Sequence, residues 1–276
     1  MASELPWIWL AIALYAAAAA CAMATRPLAA AGPGTRRRAD AATFGLLGAG
    51  LAALAWALAT RWTRIGHGPF ISLYEVLASS LWSLGLAYAI AGWRAPIVRR
   101  TAPVVLPMLL VLAGWLAVAN PADTHLPPTY ETAVLWFHVL SGKVFLGCAL
   151  VATGLAGLML LRAGPCARRF AGAPSDRVLD ALAWRLMLAA LVFESLMLVA
   201  GAVWAQDAWG RYWAWDPLEV WSLVTWLALS AAVHARLTWR VTPRLGAWMI
   251  LGVFALAFLT FFGVPFVSTA PHKGVL

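Results

Sequence analysis

Between Trp204 and Trp226 the chain reads WAQDAWGRYWAWDPLEVWSLVTW. Trp204, Trp209, Tyr212, Trp213, Trp215, Trp221 and Trp226 gather around one Asp-Pro-Leu-Glu turn. Each indole carries an N–H that wants a partner when buried, so core packing has no use for so many in one stretch. A flat surface of indoles suits a large planar ligand. Five histidines, His67, His125, His138, His234 and His272, could hold a metal through their imidazoles.

These residues sit in a chain built for a membrane. Of 276 residues, 63% are hydrophobic and 11% charged, and mean hydropathy is +0.81. A soluble domain is nearer half apolar and a quarter charged. A bilayer core needs roughly 20 apolar residues per helix, and eight stretches supply them: 5–24, 42–60, 72–92, 104–119, 134–161, 182–203, 217–235 and 245–263. The fourth is short, with a start blurred by Pro103 and Pro107, and only Glu4 precedes the first, which reads as a retained helix rather than a cleaved signal. The fold class is therefore all-α, a polytopic membrane protein of about eight helices forming one integral-membrane domain over 1–276.

The net charge of +9 points to topology and not to nucleic acid. Arginines concentrate in alternate connections: Arg26 and Arg36 to Arg38, then Arg94, Arg99 and Arg100, then Arg162, Arg168, Arg169 and Arg177, then Arg236, Arg240 and Arg244. The connections between are poorer. Excess Lys and Arg mark the cytoplasmic side, so both termini and the tryptophan-rich segment 204–221 are expected outside, with the long basic loops as solvated connectors. Cys21, Cys148 and Cys166 form no C-x-x-C or C-x-x-C-H, which argues against a thiol oxidoreductase and against a c-type cytochrome.

Topology sorts the histidines. His138, in the first turns of the fifth span, and His272, just beyond the eighth, fall at the level of the tryptophans. His67 and His125 read as outer-loop residues. His234 lies at the far end of the seventh helix, whose start is marked by Asp216 as N-cap, Pro217 at the first position and Glu219 closing a capping box. The 17 residues from Pro217 to His234 span roughly 26 Å, so two binders would mean two sites. Paired imidazoles beside an aromatic surface, with no carboxylate cluster, fit an axially ligated haem better than zinc. Asp216 and Glu219 read first as capping residues and Arg211 as an interfacial anchor or a propionate contact. Glu75, Glu194 and Lys143 fall inside apolar spans, where an ionisable group is costly and commonly functional. Trp7, Trp9, Trp62, Trp93 and Trp239 read as an interfacial belt.

WGRYWAWDPLEVWSLVTW resembles the tryptophan-rich "WWD" signature of the haem-handling proteins of cytochrome c assembly, and is most similar to the CcsA (ResC) family of the System II pathway. SLYEVLASSLW (Ser72 to Trp82) is similar to that family's early block, and VHAR, with His234, to its membrane-embedded histidine. The resemblance implies a haem conduit. Haem b would pass from the cytoplasmic side to the outer face and be offered to the C-x-x-C-H thiols of an apocytochrome c. The implied ligands are His138 and His272 outside and His234 within the membrane. Trp209, Tyr212, Trp213, Trp215 and Trp221 would form the platform, with Asp216 and Arg211 beside it. The implied setting is the bacterial inner membrane, with the site facing the periplasm. The implied partners are a CcsB/ResB-like subunit and a thioredoxin-like reductant of the apocytochrome, the chain acting as the haem-handling subunit of a cytochrome c synthase. The competing readings are a haem-bearing electron-transfer subunit, a CcmC-like haem exporter subunit, and a transporter using Glu194, Lys143 and His234 as a proton path.

Overall fold

The structure, a computed structural model, describes residues 4–24, 33–69, 71–123, 125, 131–164, 170 and 174–267. His272 and Cys166 lie outside the described residues. Eight long helices follow one another: α1 (Leu5–Ala24), α2 (Pro33–Ile65), α3 (Leu73–Arg94), α4 (Ala102–Val118), α5 (Ala133–Arg162), α6 (Asp176–Trp209), α7 (Pro217–Thr238) and α8 (Pro243–Phe258). A π-helical turn, Leu259–Gly263, and a last helical turn, Val264–Val267, continue α8. Among the described residues eight helical segments are long and apolar enough to cross a membrane, and no strand occurs. The all-α, eight-span expectation therefore holds.

The boundaries differ where charge was read as loop. Arg36 to Arg38 lie on α2, Arg177 on α6 and Arg236 on α7, so these basic residues decorate helix ends and are not free connectors. Nothing in Arg opposes a helix, and polar residues can extend one past the bilayer. The fourth span likewise starts early: a 3-10 helix, Pro96–Thr101, runs straight into α4, which carries Pro107 inside it.

Two compact units divide the chain: Met1–Thr124 with Gly157–Leu179, and His125–Ala156 with Asp180–Leu276. In the first, α1 packs on α2 and α4, and α3 on α2 and α4. Tyr15 is wholly buried there and donates its hydroxyl to the Leu81 carbonyl at 3.1 Å. Gly85 makes the room, since a Cβ at that position would stand 2.2 Å from the Tyr15 oxygen.

Arg61 closes one end of this unit. Its Nε donates to Glu75 at 2.9 Å, one terminal nitrogen to Glu4 at 3.1 Å and the Pro121 carbonyl at 3.0 Å, the other to the Ala122 carbonyl at 2.8 Å. Arg64 adds bonds to Glu4 and both oxygens of Asp123. The start of α1, the end of α2, the start of α3 and the chain after α4 are thus tied to one buried guanidinium, whose planar fork suits several oxygen acceptors at once. Glu75 has its other oxygen on the Ile71 and Ser72 amides, in a capping box that starts α3. The residue read as an intramembrane functional acid is therefore a helix cap and ion-pair partner.

In the second unit α7 joins α6 through Trp226 Nε1, which donates to Ser195 Oγ at 2.8 Å. It joins the π-helical turn through the Thr225 and Thr260 hydroxyls, 2.8 Å apart. Near the opposite end of α7, Arg236 binds the Asp180 carboxylate and donates to the Val241 carbonyl at 2.9 Å. These contacts fix both ends of the helix that carries Trp221 and His234.

Candidate functional site

His138, the tryptophan-rich segment and His234 all belong to the second unit. His138 stands in the second turn of α5, half-buried, with Nδ1 2.8 Å from the Met197 carbonyl of α6. A carbonyl only accepts, so Nδ1 donates, which in a neutral imidazole leaves the lone pair on Nε2, the arrangement a metal-ligating imidazole takes. Gly201 gives the ring its place, because a Cβ there would come within 2.8 Å of its Cε1 and Nδ1.

Further along α6 come Trp204 and Trp209. They are helical, not part of a loop. Trp204 is roughly 10 Å beyond Met197 at 1.5 Å per residue. It is buried and meets Trp209 edge to face, centroids 4.9 Å apart at 79°. Gly210, with φ +76°, ends the helix, its N–H returning to the Gln206 carbonyl at 3.0 Å. Residues 211–216 then lead into α7, where the expected capping box is present in both directions.

Within that link Trp213 and Trp215 form a second perpendicular pair, 5.8 Å apart at 85°. The indoles therefore do not make the flat sheet expected from their number. They pack edge to face, the arrangement ring quadrupoles prefer, and present a ridged surface. Tyr212, Trp215 and Trp221 are exposed, as is Arg211, while Trp209 and Trp213 are half-buried and Asp216 is buried.

His234 is separate. α7 runs unbroken from Pro217 to Thr238, which keeps His234 at the end away from the tryptophans. Its Nε2 is 3.4 Å from Thr238 Oγ1, and the ring lies exposed on the same stripe of α7 as Val224 and Leu227. Of the other ionisable candidates, Glu194 is wholly buried on α6 with neither oxygen hydrogen-bonded, and Lys143 is half-buried on α5. His67 belongs to the first unit, buried, with Nδ1 3.0 Å from the Gly68 carbonyl. Among the described residues no group of three or more His, Cys, Asp or Glu is placed to hold a metal ion.

Sequence reasoning missed the Met197 carbonyl and Gly201 as the socket of His138. A backbone acceptor leaves no trace in side-chain chemistry, and a lone glycine in a membrane helix is common.

This chain matches a known class. The family model described as "Cytochrome C assembly protein" covers residues 70–272, and the chain belongs to that family. Within it, the chain is of the CcsA type. It is 28% identical over 240 residues to the cytochrome c biogenesis protein CcsA of Guillardia theta, covering 78% of this chain and 79% of that one. It is 31% identical over 252 residues to CcsA of Parasynechococcus marenigrum, covering 78% and 80%. Among solved structures, the cytochrome c heme lyase CcmF superposes with a TM-score of 0.68 at 20% identity, over 99% of this chain and 48% of that one. That likeness is one of fold, and the chain spans about half the length of CcmF. The chain is thus an integral membrane protein of cytochrome c biogenesis.

Proposed function

We propose that this chain takes haem b from the cytoplasmic side of the bacterial inner membrane and presents it at the outer face to an apocytochrome c. Haem is here the cargo. Both termini and segment 204–221 face the outside, and the whole of 1–276 acts as one haem-handling domain. The observation that carries the reading is His138 of α5, whose Nδ1 is committed to the Met197 carbonyl of α6, the helix that ends about three turns further on at Trp209. A porphyrin brings four ring nitrogens of its own, so it asks for only one or two imidazoles, and the donor set here fits that better than a tetrahedral zinc site.

His138 and His272 are the proposed outer ligands. Trp209, Tyr212, Trp213, Trp215 and Trp221 are the apolar ridge against which the macrocycle rests, and Arg211 meets a propionate. Asp216 holds the start of α7. Each cysteine thiol of the client's C-x-x-C-H adds across one vinyl group, sulfur to one carbon and hydrogen to the other, with no net redox change in the pair. Bringing ring edge and thiols together supplies proximity, worth several orders of magnitude in rate. A thioredoxin-like reductant keeps those thiols reduced. His234 is the proposed inner ligand. Its exposure on α7 supports a second ligand donated by a CcsB/ResB-like subunit, with which this chain would form the cytochrome c synthase.

The test is the absorption spectrum of the purified chain, oxidised and reduced, for wild type, His138→Ala and His272→Ala. A low-spin haem spectrum that turns high-spin or vanishes in both variants supports the outer bis-histidine site. A spectrum indifferent to both sinks it.

A further inference from the structure

Trp215 is the one non-glycine residue with positive φ among the described residues, at φ 58°. A Cβ makes the left-handed region unfavourable, and a bulky side chain there is uncommon. Core packing does not account for it, because the indole is 73% exposed and meets Trp213 edge to face.

The side chain of Glu219 reaches across it. Its Oε2 accepts from the Ala214 N–H at 2.7 Å and from the Asp216 N–H at 3.4 Å. Those amides flank Trp215, so one oxygen draws the backbone together across it. The Asp216 bond is one half of the capping box; the other half runs from the Glu219 N–H to Asp216 Oδ1 at 3.0 Å, and the bond from Ala214 lies outside the box.

α3 supplies an internal comparison. Its capping box also has Glu at the third position, but Glu75 Oε2 bridges the adjacent amides of Ile71 and Ser72, and no residue there has positive φ. In α7 the shorter bond goes two residues before the N-cap, to Ala214, and the residue left between the two amides is the exposed tryptophan.

We propose that Glu219 is a positioning residue of the presentation site. By bridging the amides on either side of Trp215 it fixes that indole outward, as a ledge for the edge of a planar macrocycle. The inference rests on the haem-presentation reading for the identity of the macrocycle. What Glu219 contributes is an acceptor oxygen at the right reach, not a charge.

Two substitutions separate reach from charge. Glu219→Gln keeps an oxygen at the same distance and loses the charge, whereas Glu219→Asp keeps the charge and is too short to reach both amides. The full chain is labelled with fluorotryptophan, and the Trp215 fluorine resonance is assigned by its loss in Trp215→Phe. We expect that resonance to stay in place in Glu219→Gln and to shift and broaden in Glu219→Asp, while the Trp221 resonance persists in both and reports an intact α7. An unmoved Trp215 resonance in Glu219→Asp, or the same displacement in Glu219→Gln, overturns the anchor.

Haem titration carries the second arm. Trp215→Ala and Glu219→Asp should each weaken haem binding roughly tenfold, the scale of one lost aromatic contact, and the double variant should be no weaker than either, because both remove the same ledge. Losses that multiply overturn the link between Glu219 and Trp215. A wild-type chain that binds no haem overturns the presentation reading alone, and the fluorine resonances still decide the anchor.

Discussion

The imidazole of His138 rests on Gly201, so closely that a Cβ at that position would stand 2.8 Å from its Cε1 and Nδ1. One turn earlier on the same helix, the Met197 carbonyl takes the Nδ1 proton at 2.8 Å. α6 thus provides both the space for the ring and the acceptor that sets its tautomer.

Gly201→Ala is therefore expected to expel the ring while leaving the helix sound. Alanine favours a helix over glycine by about 1 kcal/mol, and overpacking costs about 1–3 kcal/mol, so net stability should change little. The loss should be specific: the low-spin haem spectrum should fall to high spin and return on adding free imidazole. A Gly201→Ala protein with an unaltered spectrum would detach His138 from haem binding.

Arg61 calls for the opposite behaviour. It is the common partner of Glu4, Glu75 and two backbone carbonyls, and its side chain is 1% exposed. Removing one member of a buried ionic group strands the others, at a cost of about 3–5 kcal/mol. Arg61→Ala should lower the melting temperature in detergent sharply, and Arg61→Lys should recover little of it, since an ammonium cannot span the same acceptors. Glu75→Gln should be milder, because an amide oxygen still caps α3.

The contrast between these two sites explains what was readable in the sequence. The eight spans, the Asp216 cap and its Glu219 partner follow from local periodicity and spacing of three residues, and they stand in the structure. The Arg61 cluster joins residues 14 and 57 positions away, and no local pattern carries that information. The tryptophans were legible as a group, but composition reveals neither the edge-to-face pairing of Trp204 with Trp209 along α6 and of Trp213 with Trp215 after it nor the left-handed backbone of Trp215. Glu75 does fall within its span, but its bonds to Arg61 and to the Ile71 and Ser72 amides are invisible to hydropathy, which averages over a span and does not distinguish its first turn from its middle.

Glu4 gives the cluster a pH signature. Burial would raise its carboxyl, but a bond from its own backbone N–H and those from Arg64 and Arg61 outweigh burial and hold it below the ordinary value of 4.5. A carboxyl depressed in the folded state stabilises fully above its unfolded pKa, and that contribution fades as pH falls through the folded one. The wild-type melting temperature should accordingly decline below about pH 4.5, and Glu4→Gln should start lower at neutral pH and lose less on acidification. Parallel curves for the two proteins would remove Glu4 from the acid response.

His234 and His138 should behave as independent sites. The continuous α7 puts His234 roughly 26 Å from the helix start beside the tryptophans, too far for one porphyrin to bridge. On the proposed two-site reading, His234→Ala is expected to leave the spectrum of the outer haem unchanged and to abolish only a component acquired when a partner subunit is co-expressed, since the ring is exposed. His138→Ala should do the reverse, retaining the partner-dependent component. The decisive sample is the chain purified alone: it should carry a single bis-histidine species, and two such species would show that His234 finds its second ligand within this chain.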